Sequence, residues 1–508
     1  MNVVPSMPLS PPLLTVLAFA SLTPLTAWSQ PAPDEDAPPA KAAPQPPRTR
    51  DLQISGVPAL VKRLKPILDE EILKGAKVSI VVERLDRRKK SRLFAVNPDL
   101  ALHPASNTKV VTTSAALSLL SPAHTWNTDL AAPKDETGGK VSDLYLIGRG
   151  DPRFVNESLW SLVTKAKRKG LTEVTGDIVV DDTRFTADRM APGFDDKNQD
   201  DAYRAASGAM SLNFNSMVIQ VKPGKAAGES PKVTLRPDSG YAVIENTATT
   251  TSKGRTSVAV KAGAYKDRTL IRVSGRIPLK SKGATVRKRI DNPALFAGYG
   301  LKMFLEEAGI QVKGKVRVEA APKKRRLLSR EVSRTLALAA VDINKLSNNF
   351  MAEQVLRTLG VRKGAQGDWA SGAKVVRRFL TQEVGLKGDF RYVNGSGLFG
   401  NTAFSAAQLV QLMRHMHTLR PPLPEFAASL PMNGVDGTLR RRLKELPPGT
   451  VRAKTGTLDG VVCLTGYLTM KGGKMAAFSI LLNDLEGPAW KAWKVQDAIL
   501  LALARYTP

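Results

Sequence analysis

The chain has 508 residues, which is long enough for two or three domains and a sizeable core. Its hydrophobic content of 42% is ordinary for a globular protein, whereas its net charge of +29 is unusually high. Such a charge favours polyanionic partners, namely nucleic acid, anionic lipid or an acidic wall polymer. The single cysteine, Cys463, excludes an intramolecular disulfide, and its apolar surroundings favour a buried side chain over a nucleophile.

The N-terminal segment predicts export. Its apolar stretch, Leu13–Leu25, is too short to span a bilayer comfortably, and Ala27-Trp28-Ser29 supplies the small residues of a cleavage site before Gln30. We therefore expect a cleaved signal peptide at residues 1–29. An uncleaved anchor is the alternative, because no Lys or Arg precedes the apolar stretch. The Pro- and Ala-rich residues 30–50 predict an extended linker. An exported protein, periplasmic or otherwise extracytoplasmic, argues against nucleic acid as the partner.

After the linker, the spacing of apolar residues predicts a helix near 55–72, then two alternating strands, then a helix that begins near His103. From 138 to 322, short alternating segments separated by Gly, Asp and Asn predict a β-rich insertion of one or two domains. Long helices return after Ser329, and three adjacent strands precede a closing amphipathic helix. The sequence thus predicts an α/β (α+β) fold. A domain of residues 51–137 and 323–508, with an antiparallel sheet and a helical cluster, is split by the insertion.

The helix near His103 carries a lysine among apolar residues. Ser106 and Lys109 are three residues apart in "HPASNTKVVTTSAAL", which places both side chains on one helical face. Ser106 stands at the helix N-terminus, where the dipole favours developing negative charge. Burial would lower the pKa of Lys109 and make it a base for the Ser106 hydroxyl. The alternative is a lysine that reaches the surface.

Two further polar motifs stand in apolar surroundings. Ser347 and Asn349, in "NKLSNNFMAEQ", lie in a turn between two predicted helices, and a helix cap is the alternative. Lys454-Thr455-Gly456, in "VRAKTGTLDG", lies on a predicted strand. Lys454 and Thr455 would offer a cation and a hydroxyl to a carboxylate, and Gly456 would let an extended substrate lie close to the strand edge. Each motif alone is weak evidence.

Together and in this order, S-x-x-K, S-x-N and K-T-G resemble the motif set of penicillin-recognising serine enzymes. The insertion makes the distance between the first two motifs much longer than in class A β-lactamases. The arrangement resembles class C low-molecular-mass penicillin-binding proteins, the D-alanyl-D-alanine carboxypeptidase/endopeptidase family. The blocks "LYLIGRGDP", "SGAMSLNFNSMVIQVKPG" and "NGSGLFGN" extend the resemblance over nearly the whole chain after the linker.

The resemblance implies catalytic roles. Ser106 would be the acylated nucleophile, Lys109 its general base, and Ser347 a proton relay toward the leaving amine. The backbone N–H groups of Ser106 and Thr457 would form the oxyanion hole. The implied enzyme is a serine-type carboxypeptidase, a hydrolase that needs no metal or cofactor.

The resemblance also implies the substrate. Asn349 would bind a substrate amide, and Lys454 and Thr455 would hold the terminal D-Ala carboxylate. The partners would be peptidoglycan stem peptides of the cell wall, with β-lactams as inhibitors. The net charge adds an expected electrostatic contact with anionic wall or membrane polymers.

The chain departs from the family pattern at one block. Family members usually have D-G-S-G-L where this chain has N-G-S-G-L, which begins at Asn394. They often continue with S-R, whereas this chain continues with Phe399-Gly400 and lacks the expected arginine. This departure puts recognition of a diaminopimelate carboxylate in doubt. Asp151, in the G-D-P element, matches an acidic residue expected to meet the ammonium of that side chain. A turn-forming Asp-Pro pair is the alternative.

Two other functions are kept as alternatives. A non-catalytic scaffold with the penicillin-binding fold would explain the departure near Gly400. A β-lactamase would release hydrolysed penicillin rapidly, whereas a carboxypeptidase of this family would keep a long-lived acyl adduct. The sequence disfavours a Ser-His-Asp hydrolase, because it has only four histidines and Gly395-Ser396-Gly397 lacks the G-x-S-x-G pattern.

Overall fold

The computed structural model describes residues 52–86, 92–194, 200–361, 365–420 and 422–507. The predicted signal peptide, the predicted linker and the basic run Arg87–Lys90 lie outside these ranges. Within them, no helix combines the length and the apolar character that crossing a membrane requires.

The described ranges form 22 strands and ten α-helices. The strands are, in chain order, β1 (Ile54–Gly56), β2 (Lys77–Arg84), β3 (Arg92–Val96), β4 (Asn127–Pro133), β5 (Lys140–Val141), β6 (Leu144–Ile147), β7 (Glu173–Val174), β8 (Ile178–Asp181), β9 (Ser216–Lys222), β10 (Lys232–Arg236), β11 (Ala242–Asn246), β12 (Thr249–Thr251), β13 (Ala259–Tyr265), β14 (Arg268–Ser274), β15 (Arg276–Pro278), β16 (Ala284–Arg289), β17 (Gln311–Val312), β18 (Val316–Val318), β19 (Arg325–Val332), β20 (Val451–Leu458), β21 (Val461–Thr469) and β22 (Met475–Asn483). The helices are α1 (Pro58–Leu68), α2 (Thr108–Leu120), α3 (Asn156–Arg168), α4 (Pro293–Glu307), α5 (Leu336–Lys345), α6 (Asn349–Gly360), α7 (Trp369–Arg378), α8 (Ala406–Thr418), α9 (Leu423–Ser429) and α10 (Ala489–Ala504).

Six antiparallel strands form one sheet, in the order β1-β3-β2-β22-β21-β20. The three C-terminal strands are adjacent, as the sequence predicts. β21 and β22 are almost wholly buried because both faces of the sheet are covered, which explains their nearly continuous apolar sequences. β20 and β1 are the two edge strands.

Each face of this sheet packs against its own group of helices. α1 and α10 cover one face, where Leu64 and Leu503 join a core with Phe478 of β22. The other face packs against a cluster formed by α2 and α5 to α9. The residues Thr108–Leu117 of α2 are all buried, so this helix lies inside the cluster and shows no amphipathic pattern. The sheet and the cluster confirm the predicted fold class.

The β-rich part of the chain has its own sheets and core. The largest of these sheets has the order β18-β8-β6-β4-β19 and packs against α3 and α4. β4 and β19 flank the predicted insertion and pair with each other antiparallel. The smaller sheets are β10-β9-β16, β11-β14-β13, β12-β15 and β17-β7-β5. The predicted bounds of the insertion, 138–322, stay a prediction.

Candidate active site

Ser106 lies in a tight turn just before α2. Residues Ala105–Asn107 form a single 3-10 turn, and Ala105 has a φ of 45°, in the left-handed region. His103 Nδ1 accepts a hydrogen bond of 3.1 Å from Ala105 N, which helps to hold this conformation. Such conformations persist where the surrounding structure enforces them, as at functional sites. Ser106 is only 8% exposed, so its hydroxyl faces a narrow opening.

Lys109, one helical turn after Ser106, is fully buried. Its Nζ lies 3.0 Å from Ser106 Oγ, 2.6 Å from Asn349 Oδ1 and 3.0 Å from the carbonyl oxygen of Ser396. Burial lowers the pKa of Lys109 to about 7, although the charge of Glu353 acts in the opposite direction. A large fraction of the amine is therefore unprotonated near neutral pH.

The partners of Lys109 determine which way its hydrogen bonds run. Asn349 Nδ2 donates to Tyr203 O at 3.0 Å, so Asn349 Oδ1 faces the amine. Asn349 Oδ1 and Ser396 O can only accept. A neutral amine has two N–H groups and one lone pair, so these two oxygens use both N–H groups. The lone pair is left to accept the O–H of Ser106, which is the arrangement that a general base requires.

The second and third motifs meet at Ser347. This residue lies between α5 and α6 with a φ of 56°. Lys454 Nζ lies 2.9 Å from Ser347 Oγ and donates to Thr455 O at 2.7 Å. Burial, and then the positive charge of Lys109, lower the pKa of Lys454 well below its usual value. Lys109–Asn349 and Lys454–Ser347 thus join all three motifs into one cluster.

The outer edge of β20 presents backbone N–H groups beside the cluster. Alternate residues of an antiparallel strand direct their N–H groups away from the paired strand. Val451 N and Ala453 N donate outward, to Asn433 Oδ1 at 2.8 Å and to Pro431 O at 2.9 Å. By the same alternation Thr455 N and Thr457 N point to this edge, which no strand of the described residues pairs with. An extended peptide has room to add there.

Gly456 has a packing role besides the space for substrate that the sequence suggested. A Cβ at this position would lie 2.8 Å from Pro104 O and 3.1 Å from Ser106 N. The absence of a side chain therefore lets β20 approach the turn that carries Ser106. Because of this contact, Thr457 N and Ser106 N lie on neighbouring segments, as an oxyanion hole requires.

Glu353 is a buried acidic residue of the site that the sequence analysis missed. It lies one turn after Asn349 on α6 and is 1% exposed. Its Oε2 accepts from Gly395 N and from Trp369 Nε1, both at 2.9 Å, and its Oε1 accepts from Ser396 N at 2.8 Å. Glu353 therefore holds the segment whose carbonyl group contacts Lys109. The available signal was an acidic residue among the apolar residues of "NFMAEQVL".

The block that departs from the family pattern has a structural explanation at its first residue. Asn394 Nδ2 donates to Pro192 O at 2.9 Å and to Leu398 O at 3.2 Å. An aspartate could not make these contacts, because a carboxylate only accepts. The resemblance leads one to expect an arginine near Phe399. In the structure, the guanidinium of the buried Arg204 lies 5.6 Å from the centroid of the Phe399 ring.

Asp151 lies in a turn of its own. Its Oδ1 accepts from Arg153 N at 2.8 Å, and Arg153 Nε lies 2.9 Å from Asp342 Oδ2 on α5. Burial raises the pKa of Asp151 to about 6. In the part of the chain that the structure describes, no hydrogen bond or ion pair joins Asp151 to the three motifs. The contact with Arg153 fits the alternative of a turn-forming aspartate.

Two other kinds of reactive group are a metal-binding cluster and the cysteine thiol. Among the described residues, no three His, Cys, Asp or Glu side chains are grouped so that they could hold a metal ion. Cys463 is fully buried, and burial raises the pKa of its thiol to about 12. A thiol in this state is a packed side chain.

Comparison with known proteins identifies the family. The model of the D-Ala-D-Ala carboxypeptidase 3 (S13) family matches residues 60–505. The chain belongs to this family. A D-alanyl-D-alanine carboxypeptidase from Actinomadura sp. (strain R39) is 33% identical over 456 residues, which cover 87% of this chain and 83% of that protein. The D-alanyl-D-alanine carboxypeptidase DacB of Haemophilus influenzae is 23% identical, with 84% of this chain and 91% of that protein covered.

Solved structures show the same fold. Penicillin binding protein 4 (dacB) from Haemophilus influenzae matches with a TM-score of 0.75 and 21% identity, over 88% of this chain and 99% of that one. The same protein in complex with a β-lactam matches with a TM-score of 0.70. The predicted resemblance to the D-alanyl-D-alanine carboxypeptidase family is confirmed, and the chain is a member of a serine peptidase family.

Proposed function

We propose that this protein is a serine D-Ala-D-Ala carboxypeptidase/endopeptidase that cleaves peptidoglycan stem peptides through an acyl-enzyme on Ser106. The observation that carries the proposal is the position of Lys109, whose buried amine contacts Ser106 Oγ, Asn349 Oδ1 and Ser396 O. An S13 carboxypeptidase needs a serine that is deprotonated as it attacks, and this amine is placed to take that proton.

Acylation follows from these contacts. The lone pair of Lys109 accepts the Ser106 proton while Oγ attacks the carbonyl carbon of the penultimate D-Ala. Ser106 N and Thr457 N donate to the oxygen that becomes negative in the tetrahedral intermediate. Collapse breaks the peptide bond, and the leaving D-Ala amine takes a proton by way of Ser347, whose hydroxyl contacts Lys454.

Substrate binding uses the outer edge of β20. The terminal carboxylate meets Lys454 and Thr455, and the amide of Asn349 is close enough to the nucleophile to bind a peptide group of the substrate. Water then attacks the acyl-enzyme with Lys109 again as base, and Ser106 is released. Asp151 is a candidate for recognition of the ammonium on the third residue of the stem peptide.

The location and the further partners belong to the same proposal. The signal-like N-terminus supports an exported, periplasmic or otherwise extracytoplasmic enzyme. The net charge of +29 supports electrostatic contact with anionic wall or membrane polymers. Binding to purified sacculi should then weaken as salt rises.

The test is the intact mass of the protein after brief exposure to benzylpenicillin. We expect a penicilloyl adduct on the wild type and none on Ser106→Ala, followed by D-alanine release from a stem peptide by the wild type. Ser118→Ala is the matched control, because Ser118 lies on α2, the helix that follows Ser106, and its hydroxyl donates to Met416 Sδ at 3.8 Å and to no residue of the three motifs in the described part of the chain.

The other outcomes separate the alternatives. A folded wild type that forms no adduct and leaves the drug intact would support the non-catalytic scaffold. A wild type that forms no lasting adduct but consumes the drug rapidly would be a β-lactamase.

A further inference from the structure

Two tryptophans on the outer side of α10 are exposed. Trp490 is 46% exposed and Trp493 is 38% exposed, and they lie three residues apart, on one side of the helix. The opposite side of α10 is buried against the six-stranded sheet through Val495 and Ile499. Two neighbouring exposed indoles form an apolar patch that the fold does not need, which marks an interaction surface.

Two cations lie beside the Trp490 ring. Lys491 and Lys494 are exposed between and after the tryptophans, and Lys494 Nζ lies 4.7 Å from the centroid of the Trp490 ring. The basic run that follows Leu439 lies beside them, because Arg442 Nη2 donates to Trp493 O at 3.2 Å.

The basic run and α10 also share an open cleft of about 300 Å³, which Arg441, Lys444 and Lys494 line together. Of the two carboxylates at this cleft, Asp497 is paired with Arg442 at 2.7 Å, and Glu445 is exposed. We name this patch the Trp–Lys surface and define it by the following residues: Trp490, Lys491, Trp493, Lys494, Arg441 and Lys444.

We propose that the Trp–Lys surface binds the headgroup region of an anionic lipid bilayer. Indole rings prefer the boundary between headgroups and acyl chains, and lysine and arginine beside them bind lipid phosphates. An anionic polymer in solution would neutralise the charges of the lysines and the arginine but would leave both indole rings in water. Because a bilayer also takes up the indole rings, the tryptophans favour a bilayer as the partner. This inference deepens the electrostatic contact proposed above by naming the surface and the partner.

The position of α10 is compatible with catalysis on a membrane. α10 and α1 cover one face of the six-stranded sheet, whereas α2, which follows Ser106, packs on the other face. Because the inner side of α10 is held in the core, only the two rings can enter the lipid. Binding through this face is therefore shallow, reversible and weakened by salt.

The experiment is co-sedimentation of the full chain with vesicles of phosphatidylglycerol and phosphatidylcholine, and with vesicles of phosphatidylcholine alone. We expect binding to the anionic vesicles that falls as salt rises. The variant W490A/W493A should bind roughly tenfold more weakly, because it lacks the two rings, each of which would bury about half of its surface in the lipid. K491A/K494A should lose about fivefold per lysine. Every variant keeps the same N-terminus, so the apolar stretch Leu13–Leu25 contributes equally to all.

Trp160→Ala is the matched control. Trp160 is 59% exposed on α3, which packs in the β-rich part of the chain. Its removal should therefore leave vesicle binding unchanged. Benzylpenicillin acylation of every variant checks that it is folded and separates this inference from the proposed function. As a second measurement, brominated lipids should quench the tryptophan fluorescence of the wild type more than that of W490F/W493F.

Three results would overturn the proposal. The first is a wild type that binds neither kind of vesicle or binds both equally. The second is W490A/W493A binding as well as the wild type while K491A/K494A binds weakly, which would indicate an anionic polymer such as polyphosphate as the partner. The third is equal quenching in the wild type and in W490F/W493F.

Discussion

At the scale of single residues, the site consists of two buried amines that share one cluster. Lys109 contacts Ser106, and Lys454 contacts Ser347, while burial lowers the pKa of both lysines. The positive charge of Lys109 lowers the pKa of Lys454 further. A charged Lys109 thus disfavours the charged form of Lys454, whereas a carboxylate bound beside Lys454 would favour that charged form.

The pKa of Lys109 predicts how acylation depends on pH. The base must be unprotonated, so the acylation rate constant with benzylpenicillin should rise about tenfold per pH unit below about 7 and level off above it. Intact-mass kinetics between pH 5 and 9 would measure this profile. Lys109→Arg should abolish acylation, because a guanidinium stays protonated throughout the range. A flat profile for the wild type would argue against Lys109 as the base.

Glu353 should act as a positioning residue for this base. Burial raises the pKa of Glu353, and the N–H groups that donate to both of its oxygens oppose this effect because they favour the carboxylate form. Its charge raises the pKa of Lys109, so Glu353→Gln should shift the midpoint of the acylation profile below pH 7. It should also slow acylation about 10- to 100-fold, because an amide N–H would face a backbone N–H of Gly395 or Ser396 and displace Ser396 O.

The charge-retaining variant Glu353→Asp separates the two effects. Its midpoint should stay near that of the wild type even if the shorter side chain lowers the rate. A midpoint that is unchanged in Glu353→Gln as well would leave Glu353 with a purely structural role.

Sequence reasoning at this scale predicted the residues that the structure brings together as one cluster, and their catalytic roles stay a prediction. Ser106, Lys109 and Lys454 were predicted because a lysine or a serine in an apolar segment is unusual and because these residues match the three motifs. Glu353 was missed because its partners are backbone N–H groups of a segment distant in sequence, which no local pattern records. The role of Asp151 stays a prediction, since its hydrogen bond to Arg153 N is a local turn contact.

At the scale of elements, glycines set how closely the motif-bearing segments approach. Gly397 has a φ of 71°, and a Cβ there would lie 2.0 Å from Ala105 O and 2.3 Å from Thr108 Oγ1. Gly472 has a similar φ of 77°, but nothing lies within 4 Å of the same position. A comparison of alanine substitutions at Gly397 and Gly472 therefore separates the effect of backbone strain from the effect of contact with the turn that carries Ser106.

We expect Gly397→Ala to destabilise the protein by about 3 kcal/mol or more and to slow acylation, because the turn that carries Ser106 must move. Gly472→Ala should cost only about 1 kcal/mol, from the left-handed conformation, and should leave acylation unchanged. Urea denaturation and benzylpenicillin kinetics would measure both effects. Equal losses of stability in the two variants would refute the contact argument.

The elements themselves were largely predictable. The alternation in β2 and β3 and the apolar sequences of β21 and β22 predicted strands, and the helical cluster followed from apolar spacing. The order of strands in the sheet places β20 at the edge, and this order depends on long-range pairing that local patterns do not contain. The closeness of Gly456 to Pro104 has the same origin.

At the scale of the whole molecule, Arg357 joins the helical cluster to the β-rich part of the chain. It lies fully buried on α6, and its guanidinium donates to the carbonyl oxygens of Thr186, Asp188, Ser207 and Gly367 at 2.7 to 3.3 Å. Burial lowers its pKa to about 10. One side chain thus anchors several turns between β8 and β9 to the cluster.

This anchor reaches the candidate active site. The backbone of Tyr203, in the same anchored region, accepts the hydrogen bond that orients Asn349 toward Lys109. The predicted insertion is therefore part of the site, and it does more than lengthen the distance between the first two motifs. The sequence could not show this, because neither Arg357 nor Tyr203 stands in any of the three motifs.

Arg357→Lys should accordingly destabilise the protein by about 3–5 kcal/mol and slow benzylpenicillin acylation. The point charge of an ammonium cannot reach the carbonyl groups that a planar guanidinium spans, and it loses the ring contacts that Phe185 and Trp369 make with the guanidinium at 4.5 and 4.3 Å. Arg272→Lys is the control, because Arg272 forms an exposed pair with Glu245 and should change stability by less than about 0.5 kcal/mol. Urea denaturation gives the first quantity and intact-mass kinetics the second. Loss of stability without loss of acylation would show that the β-rich part is anchored through Arg357 but does not orient Asn349.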